Sequence, residues 1–198
     1  MKSRTKNRRN QVRIIAGDWR GRKLDFPDAE GLRPTPDRVR ETLFNWLQPY
    51  LPGAHCLDLF AGSGVLGFEV LSRGAASVCF VERERVVCQS LECNIDLLDI
   101  NARASLEHTD ALQYLNASGE SEFDIVFLDP PYGKGLVDKC LMNEGLKHRL
   151  KDGGLVYMEH EAELGSIALS RYWSVLKNKK AGHVNYYLLR YNSESSVT

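Results

Sequence analysis

Several features are absent from this 198-residue chain, and the absences remove classes of protein. No apolar run reaches the ~18 residues that cross a bilayer. No charged-then-apolar leader of the secretory kind opens the sequence. A soluble cytoplasmic protein with no membrane partner is expected. The five cysteines, Cys56, Cys79, Cys88, Cys93 and Cys140, form no C-x-x-C pair and are odd in number. Free thiols in a reducing compartment fit that spacing better than disulfides or zinc. The five histidines are scattered, with no H-x-x-x-H pair, so no metal is expected. Net charge is absent too, but its zero hides a division. Residues 1–40 carry 12 Lys/Arg against 5 Asp/Glu, whereas residues 41–198 carry 14 against 21. A basic arm on an acidic body suits a polyanionic partner met by the arm, the alternative being a solvated tail.

What is present suits one folded domain: 43% of residues are hydrophobic, enough at this length for a substantial core. Residues 1–11 read as a basic flexible tail and residues 192–198 as a polar one. Between them lie an N-terminal extension, 12–52, and a main domain, 53–191.

The organising stretch is Leu57-Asp58-Leu59-Phe60-Ala61-Gly62-Ser63-Gly64-Val65-Leu66-Gly67. An apolar run from Ala54 to Phe60 reads as a buried strand, three glycines follow as G-x-G-x-x-G, and Val65, Leu66, Phe68, Val70 and Leu71 continue as a helix. A strand feeding a glycine turn and a helix N-terminus is how α/β proteins hold a nucleotide. A bare tight turn is the competing reading.

Upstream, Val12–Ala16 and Arg22–Phe26 flank Gly17-Asp18-Trp19-Arg20-Gly21 and read as a β-hairpin. Trp19 among Arg20, Arg22 and Lys23 suits a grip on single-stranded nucleic acid by stacking and phosphate contact, or else an anchor to the body. Thr35 then serves as an N-cap with Pro36 at the first helical position. Val39, Leu43, Trp46, Leu47 and Tyr50 define one buried helical face, from which Arg33, Arg38 and Arg40 are excluded. Downstream, strands alternate with helices: Ser77–Val81 ending at Glu82, a helix Arg83–Leu98, strand Ala104–Glu107, a short helix Asp110–Leu115, strand Phe123–Leu128, a helix Leu136–Leu150 and strand Gly154–Glu159. Trp173–Lys179 and Val184–Tyr191 close the chain as a hairpin. Repeated βα units predict an α/β fold with a Rossmann-like, doubly wound, mostly parallel seven-stranded sheet and an antiparallel edge hairpin.

Glu82, 20 positions after Gly62, suits ribose hydroxyls and fits NAD as well as S-adenosylmethionine. Asp58 separates the two, since it would repel a pyrophosphate but not a sulfonium or an amino group. Asp110 and Ala111 are placed to meet an adenine ring. The sharpest signal is Asp129-Pro130-Pro131-Tyr132 at a strand's carboxyl end. An exocyclic nucleobase amine is a poor nucleophile because its lone pair is delocalised. The Asp129 carboxylate and the Pro130 carbonyl can accept its two N–H bonds and aim the lone pair at a methyl group. Pro131 stiffens the loop while Tyr132 stacks on the base.

These residues resemble a class I S-adenosylmethionine-dependent methyltransferase with the [DN]-P-P-[YF] motif of amino-group methylation. Arg33-Pro34-Thr35-x-Asp37-Arg38-Val39-Arg40-Glu41-x-Leu43-Phe44-Asn45 is similar to the opening signature of the bacterial RsmD family, the 16S rRNA (guanine(966)-N(2))-methyltransferases. Asp58–Gly64, Leu71–Ala75, Asp129–Tyr132 and the Arg13–Arg22 hairpin agree with it. Val65, Phe68 and Val70 depart slightly, in helix packing only. The resemblance implies S-adenosylmethionine as cofactor, no metal and, as partner, 16S rRNA within the assembled or assembling small ribosomal subunit. A monomer giving N2-methylguanine and S-adenosylhomocysteine is expected. The implied donor site is Asp58, Phe60, Ala61, Gly62, Ser63, Gly64, Glu82, Asp110 and Ala111. Asp129, Pro130, Pro131 and Tyr132 take the guanine; Arg20, Arg22, Lys23, Arg33, Arg38 and Arg40 contact RNA. A DNA adenine-N6 methyltransferase would use the same proline loop, and an NAD-dependent oxidoreductase the same glycines. The first lacks a target-recognition region here, and the second leaves the Asp129 loop without a role.

Overall fold

The computed structural model describes residues 10–29, 35–117, 123–162 and 169–193. Chain order is β1 (Asn10–Arg13), β2 (Lys23–Phe26), α1 (Asp37–Leu47), β3 (His55–Asp58), α2 (Val65–Ser72), β4 (Ser77–Glu82), α3 (Arg85–Leu98) and β5 (Ala104–His108). There follow α4 (Ala111–Asn116), β6 (Phe123–Leu128), α5 (Leu136–Leu141), α6 (Glu144–Arg149), β7 (Leu150–Glu161), β8 (Trp173–Ala181) and β9 (Val184–Tyr191).

Seven strands form one sheet in the order β5-β4-β3-β6-β7-β9-β8. The first five are mutually parallel; β9 runs antiparallel to β7, and β8 antiparallel to β9 at the edge. The expected doubly wound sheet is thus present, and β9 rather than β8 joins it to β7. From β3 the chain winds outward through β4 and β5, then crosses back to β6 on the other side. The crevice between the carboxyl ends of β3 and β6 is therefore the switch point, where open α/β sheets bind ligands.

The central strands are apolar because both faces are covered. One face packs on the β1–β2 hairpin, α1, α2 and α3 through Cys56, Phe80, Phe127 and Tyr157. The other packs on α4, α5 and α6 through Leu57, Val126, Leu128 and Met158. Alternation along β6 and β7 thus fixes which side chains meet the N-terminal extension.

Local departures from the sequence pattern have identifiable causes. The hairpin starts at Asn10, and its first strand stops at Arg13 rather than Ala16. The amides of Ile15 and Ala16 donate instead to the Glu69 carboxylate of α2 at 2.9 and 3.0 Å. Pro36, not Thr35, is the N-cap of α1, and no side chain caps it. Tyr50 leaves the buried stripe, 41% exposed, because Gln48–Tyr50 tightens into a 3₁₀ turn containing Pro49. Phe44 is buried in that stripe, and Trp46 stacks on Tyr186 at 5.3 Å. The single helix expected over Leu136–Leu150 is two, since the Asn143 side chain accepts from the Gly145 amide at 2.7 Å and starts α6 anew.

Candidate active site

Four strand tips, those of β3, β4, β5 and β6, carry the expected site residues to one rim. At the tip of β3, Asp58 is buried, and its Oδ2 accepts from the Gly67 amide in the first turn of α2 at 3.2 Å. Burial is the main cause that pushes its carboxyl well above the ordinary range, with Asp129 and Glu82 adding like-charge repulsion. The parallel register sets Asp58 beside Phe80 and Phe127, so Glu82 and Asp129, two residues further along the chain, lie at the same rim.

The turn between β3 and α2 is shaped by glycine. Gly64 is the N-cap of α2 at φ +73°, and a Cβ there would lie 2.5 Å from both Leu91 Cδ2 and Phe68 Cε2. Gly67 brings α2 onto the sheet: a Cβ would sit 2.2 Å from the Phe80 ring. The amide of Gly62 donates to Glu82 Oε2 at 3.0 Å, and the amides of Arg83 and Glu84 to its Oε1 at 2.8 Å. Glu82 thereby holds the glycine turn against the tip of β4. Phe60 is half-buried, while Ala61 and Ser63 are buried beside it. The Thr109 amide donates to the Glu82 carbonyl at 3.0 Å, which sets the end of β5 next to β4. There Asp110 caps α4, accepting from Leu112 and Gln113, and Ala111 is buried.

At the tip of β6, the Asp129 carboxylate is half-buried and Oδ2 accepts from the Thr35 hydroxyl at 2.9 Å. Burial raises its carboxyl to about 6, against the Thr35 bond that lowers it. Pro130 is buried, Pro131 half-buried, and Tyr132 stands 50% exposed. Beyond them the Gly133 amide donates to Glu161 of β7, which ties the loop down. Two functional candidates escaped the sequence reading. Thr35 had been assigned to the helix cap. Glu159, buried in β7, accepts from the Tyr157 hydroxyl at 2.6 Å and lies beside Asp129. A carboxylate ending an apolar strand was the one signal for it.

The basic residues do not gather at this rim. Arg40 is a correction: it is completely buried and offers RNA no surface. Its guanidinium donates to Asp37, to the carbonyls of Arg13 and Thr35, and lies 3.5 Å from Glu69. Trp19 is an anchor rather than an exposed platform. It packs partly buried on the core, with the Arg103 guanidinium 6.0 Å from its ring, and its amide donates to Ser72 Oγ. Ser72 ends α2 and Arg103 precedes β5, so Arg20, Arg22 and Lys23 are exposed near the amino ends of the strands, opposite the Asp129 rim. Arg38 is exposed in the first turn of α1, three residues after Thr35. Arg33 lies outside the described residues. A cavity of about 350 Å³ among Tyr50, His55, Asp124 and Lys151 also opens at the amino ends and shares no residue with the rim. Among the described residues no group of three or more His, Cys, Asp or Glu side chains is arranged to hold a metal ion.

The donor set suits one kind of nucleotide. Asp58 and Glu82 flank the glycine turn, and among the described residues no lysine or arginine pairs with either. Two acids without a basic partner suit a cationic or hydroxyl-bearing ligand better than a pyrophosphate. Sheet order and rim agree with the class expected from the sequence, the methyltransferases dependent on S-adenosylmethionine. The family model described as Conserved hypothetical protein 95 matches residues 12–190. The chain is 46% identical over 178 residues to ribosomal RNA small subunit methyltransferase D of Escherichia coli strain K12, covering 90% of this chain and 89% of that protein. It is 44% identical over 189 residues to the protein of the same name from Haemophilus influenzae, covering 94% and 97%. A solved structure described as "Putative methyltransferase yhhF from Escherichia coli" superposes with a TM-score of 0.84 at 41% identity, over 93% of this chain and all of that one. The protein belongs to this family, the RsmD methyltransferases.

Proposed function

We propose that the protein methylates the exocyclic N2 amine of one guanine, position 966, of 16S rRNA. The substrate is the assembled or assembling small ribosomal subunit, the enzyme acts as a monomer in the cytoplasm, and the products are N2-methylguanine and S-adenosylhomocysteine. The observation that carries the reading is the register that brings Asp129, Asp58 and Glu82 to one rim, with half of Tyr132 open beside it. The names of the relatives support rRNA as the substrate class.

The donor supplies an electrophilic methyl group; the chain supplies position. Gly62, Ser63 and Gly64 pass the backbone beneath the donor's methionine portion, and Phe60 and Ala61 wall it. Asp58, one oxygen held by the Gly67 amide, turns the other to the donor's amino group. Glu82 takes the ribose, and Asp110 and Ala111 border the adenine. Asp129 and the Pro130 carbonyl accept the two N–H bonds of the amine, with Pro131 stiffening the loop. That freezes the amine with its lone pair facing the methyl carbon. As the N–C bond forms and the C–S bond breaks, the nitrogen becomes cationic and sheds a proton, and Asp129 is its nearest acceptor. Tyr132 stacks on the flipped base. Arg38 and the exposed Arg20, Arg22 and Lys23 contact phosphates of so large a substrate, with Arg33 completing the set.

Mass mapping of 16S rRNA from cells with and without the protein tests this reading. One N2-methylguanine that disappears on deletion and returns with the wild-type gene is expected. Methyl label entering duplex DNA and not ribosomal subunits would overturn it in favour of adenine N6.

A further inference from the structure

The parallel register of β6 and β7 pairs Leu128 with Met158. One step further, Asp129 and Glu159 are neighbours at adjacent strand tips. Both follow residues of the same alternation: Phe127 and Tyr157, two positions earlier, lie in the core beneath α1. Their carboxyl groups therefore point to one side, toward Thr35. The Thr35 hydroxyl donates to Asp129 Oδ2 at 2.9 Å and also lies against the Glu159 carboxyl. Tyr157, on the same face of β7, donates to Glu159 Oε1. Among the described residues no lysine, arginine or histidine pairs with either acid. The titratable groups that face Glu159 are Asp129 from β6, Tyr157 and Glu161 from its own strand, Tyr132 from the loop and, beyond Tyr157, Tyr186 from β9.

Two carboxylates so placed, without a cation, do not both ionise at neutral pH. Solvent access decides which one keeps the proton. Asp129 is half-buried at the rim, whereas Glu159 is 3% exposed. The desolvation cost of charge is higher at Glu159. We propose that Glu159 is a positioning residue for methyl transfer: it holds the one proton shared by the pair, and through Thr35 it keeps Asp129 ionised and turned to the amine. In this arrangement the Glu159 hydroxyl donates to Thr35 Oγ1, whose own hydrogen goes to Asp129. A hydroxyl accepts and donates at once, so the chain of three groups is fully satisfied. Ionised, Asp129 is an acceptor only, as an amine with two N–H bonds requires. The direction of the electrostatics agrees, with Glu159 pushed up to about 8 and Asp129 to about 6.

The role rests on the reading of Asp129 as the amine acceptor, but the shared proton does not, and the two are tested apart. Side-chain carboxyl carbon resonances of the full chain, without donor or RNA, are titrated in wild type and D129N. Glu159 is expected to titrate above pH 7 in wild type and at a lower pH in D129N, where the neighbouring charge is gone. A Glu159 midpoint in the ordinary glutamate range, or one unmoved by D129N, overturns the shared proton. The pH profile of kcat for label transfer to small ribosomal subunits then tests the role. E159Q, neutral and nearly isosteric, is expected to stay within about 3-fold of wild type at pH 7 and to lack the alkaline decline expected of wild type near pH 8. E159A is expected to lose about 10-fold or more in kcat with donor affinity retained. E159Q that loses more than about 100-fold in kcat at pH 7, or has an alkaline limb identical to wild type, overturns the role. Should wild type label no ribosomal RNA, the functional reading falls, and the carboxyl titration still decides the shared proton.

Discussion

A single 2.9 Å hydrogen bond joins the Thr35 hydroxyl, in the N-terminal extension, to the Asp129 carboxylate at the tip of β6. The extension is therefore part of the rim that carries Asp129. A donor to a carboxylate favours its charged form, so Thr35→Val raises the Asp129 carboxyl above about 6. The acid limb of the kcat profile moves to higher pH, and kcat at pH 7 falls about 10-fold, the size of a charge-assisted bond. Thr35→Ser restores both. An acid limb unshifted in Thr35→Val would show that the bond has no part in the reaction.

The buried ion pair of Arg40 and Glu69 secures the same extension from beneath. Glu69 accepts from the amides of Ile15 and Ala16, from Arg40 and from Arg73, and so binds the hairpin, α1 and α2 together. Without Arg40, Glu69 keeps Arg73 and the two amides, but the carbonyls of Thr35 and Arg13 lose their guanidinium donor. Arg40→Met is expected to cost about 2–3 kcal/mol in urea unfolding. Arg38→Met, exposed in the same helix, should change stability by less than about 0.5 kcal/mol. Equal losses would mean that Arg40 is not the keystone its burial indicates.

RNA affinity should divide the two arginines the other way. Arg38→Glu is expected to weaken binding to small ribosomal subunits and to lower the salt slope by about one unit, as loss of one phosphate contact does. An unchanged slope would remove Arg38 from the contact surface.

The raised carboxyls also set the pH dependence of stability. Folded Asp129 keeps its proton to about pH 6, whereas the unfolded chain releases it near the ordinary 3.8. Between those values the folded state binds more protons, so stability falls as pH rises through the window and stays lower above it. Asp129→Asn has no charge to bury. It should be about 1–2 kcal/mol more stable than wild type at pH 8, and the difference should vanish below about pH 4. Thermal unfolding across pH 4–8 checks this; a constant offset would contradict the assigned shift. The same variant should bind S-adenosylmethionine normally by calorimetry, because its lesion lies on the acceptor side.

Gly64 tests the donor cradle. Gly64→Ala combines a positive φ with a Cβ driven into Leu91 and Phe68, for a loss of about 2 kcal/mol or more in stability and at least 10-fold in donor affinity. Normal donor binding in a folded Gly64→Ala protein would place the donor elsewhere.

Much of this protein was written in local pattern. Alternating strands and helices, G-x-G-x-x-G at Gly62–Gly67, an acid at Glu82 and the Asp129-Pro130-Pro131-Tyr132 loop are periodicities and short spacings, which a chain carries within a few residues. They determined the doubly wound sheet and the rim at which Asp58, Glu82 and Asp129 meet. Only tertiary structure decided the partners of isolated polar residues. Thr35 left its expected cap for Asp129, Arg40 went inside to Glu69, Trp19 turned to Ser72 and Arg103, and Glu159 came to lie beside Asp129. The reason is physical: a buried polar group must find its counterpart wherever packing brings one, and for these residues it came from a segment distant in the chain.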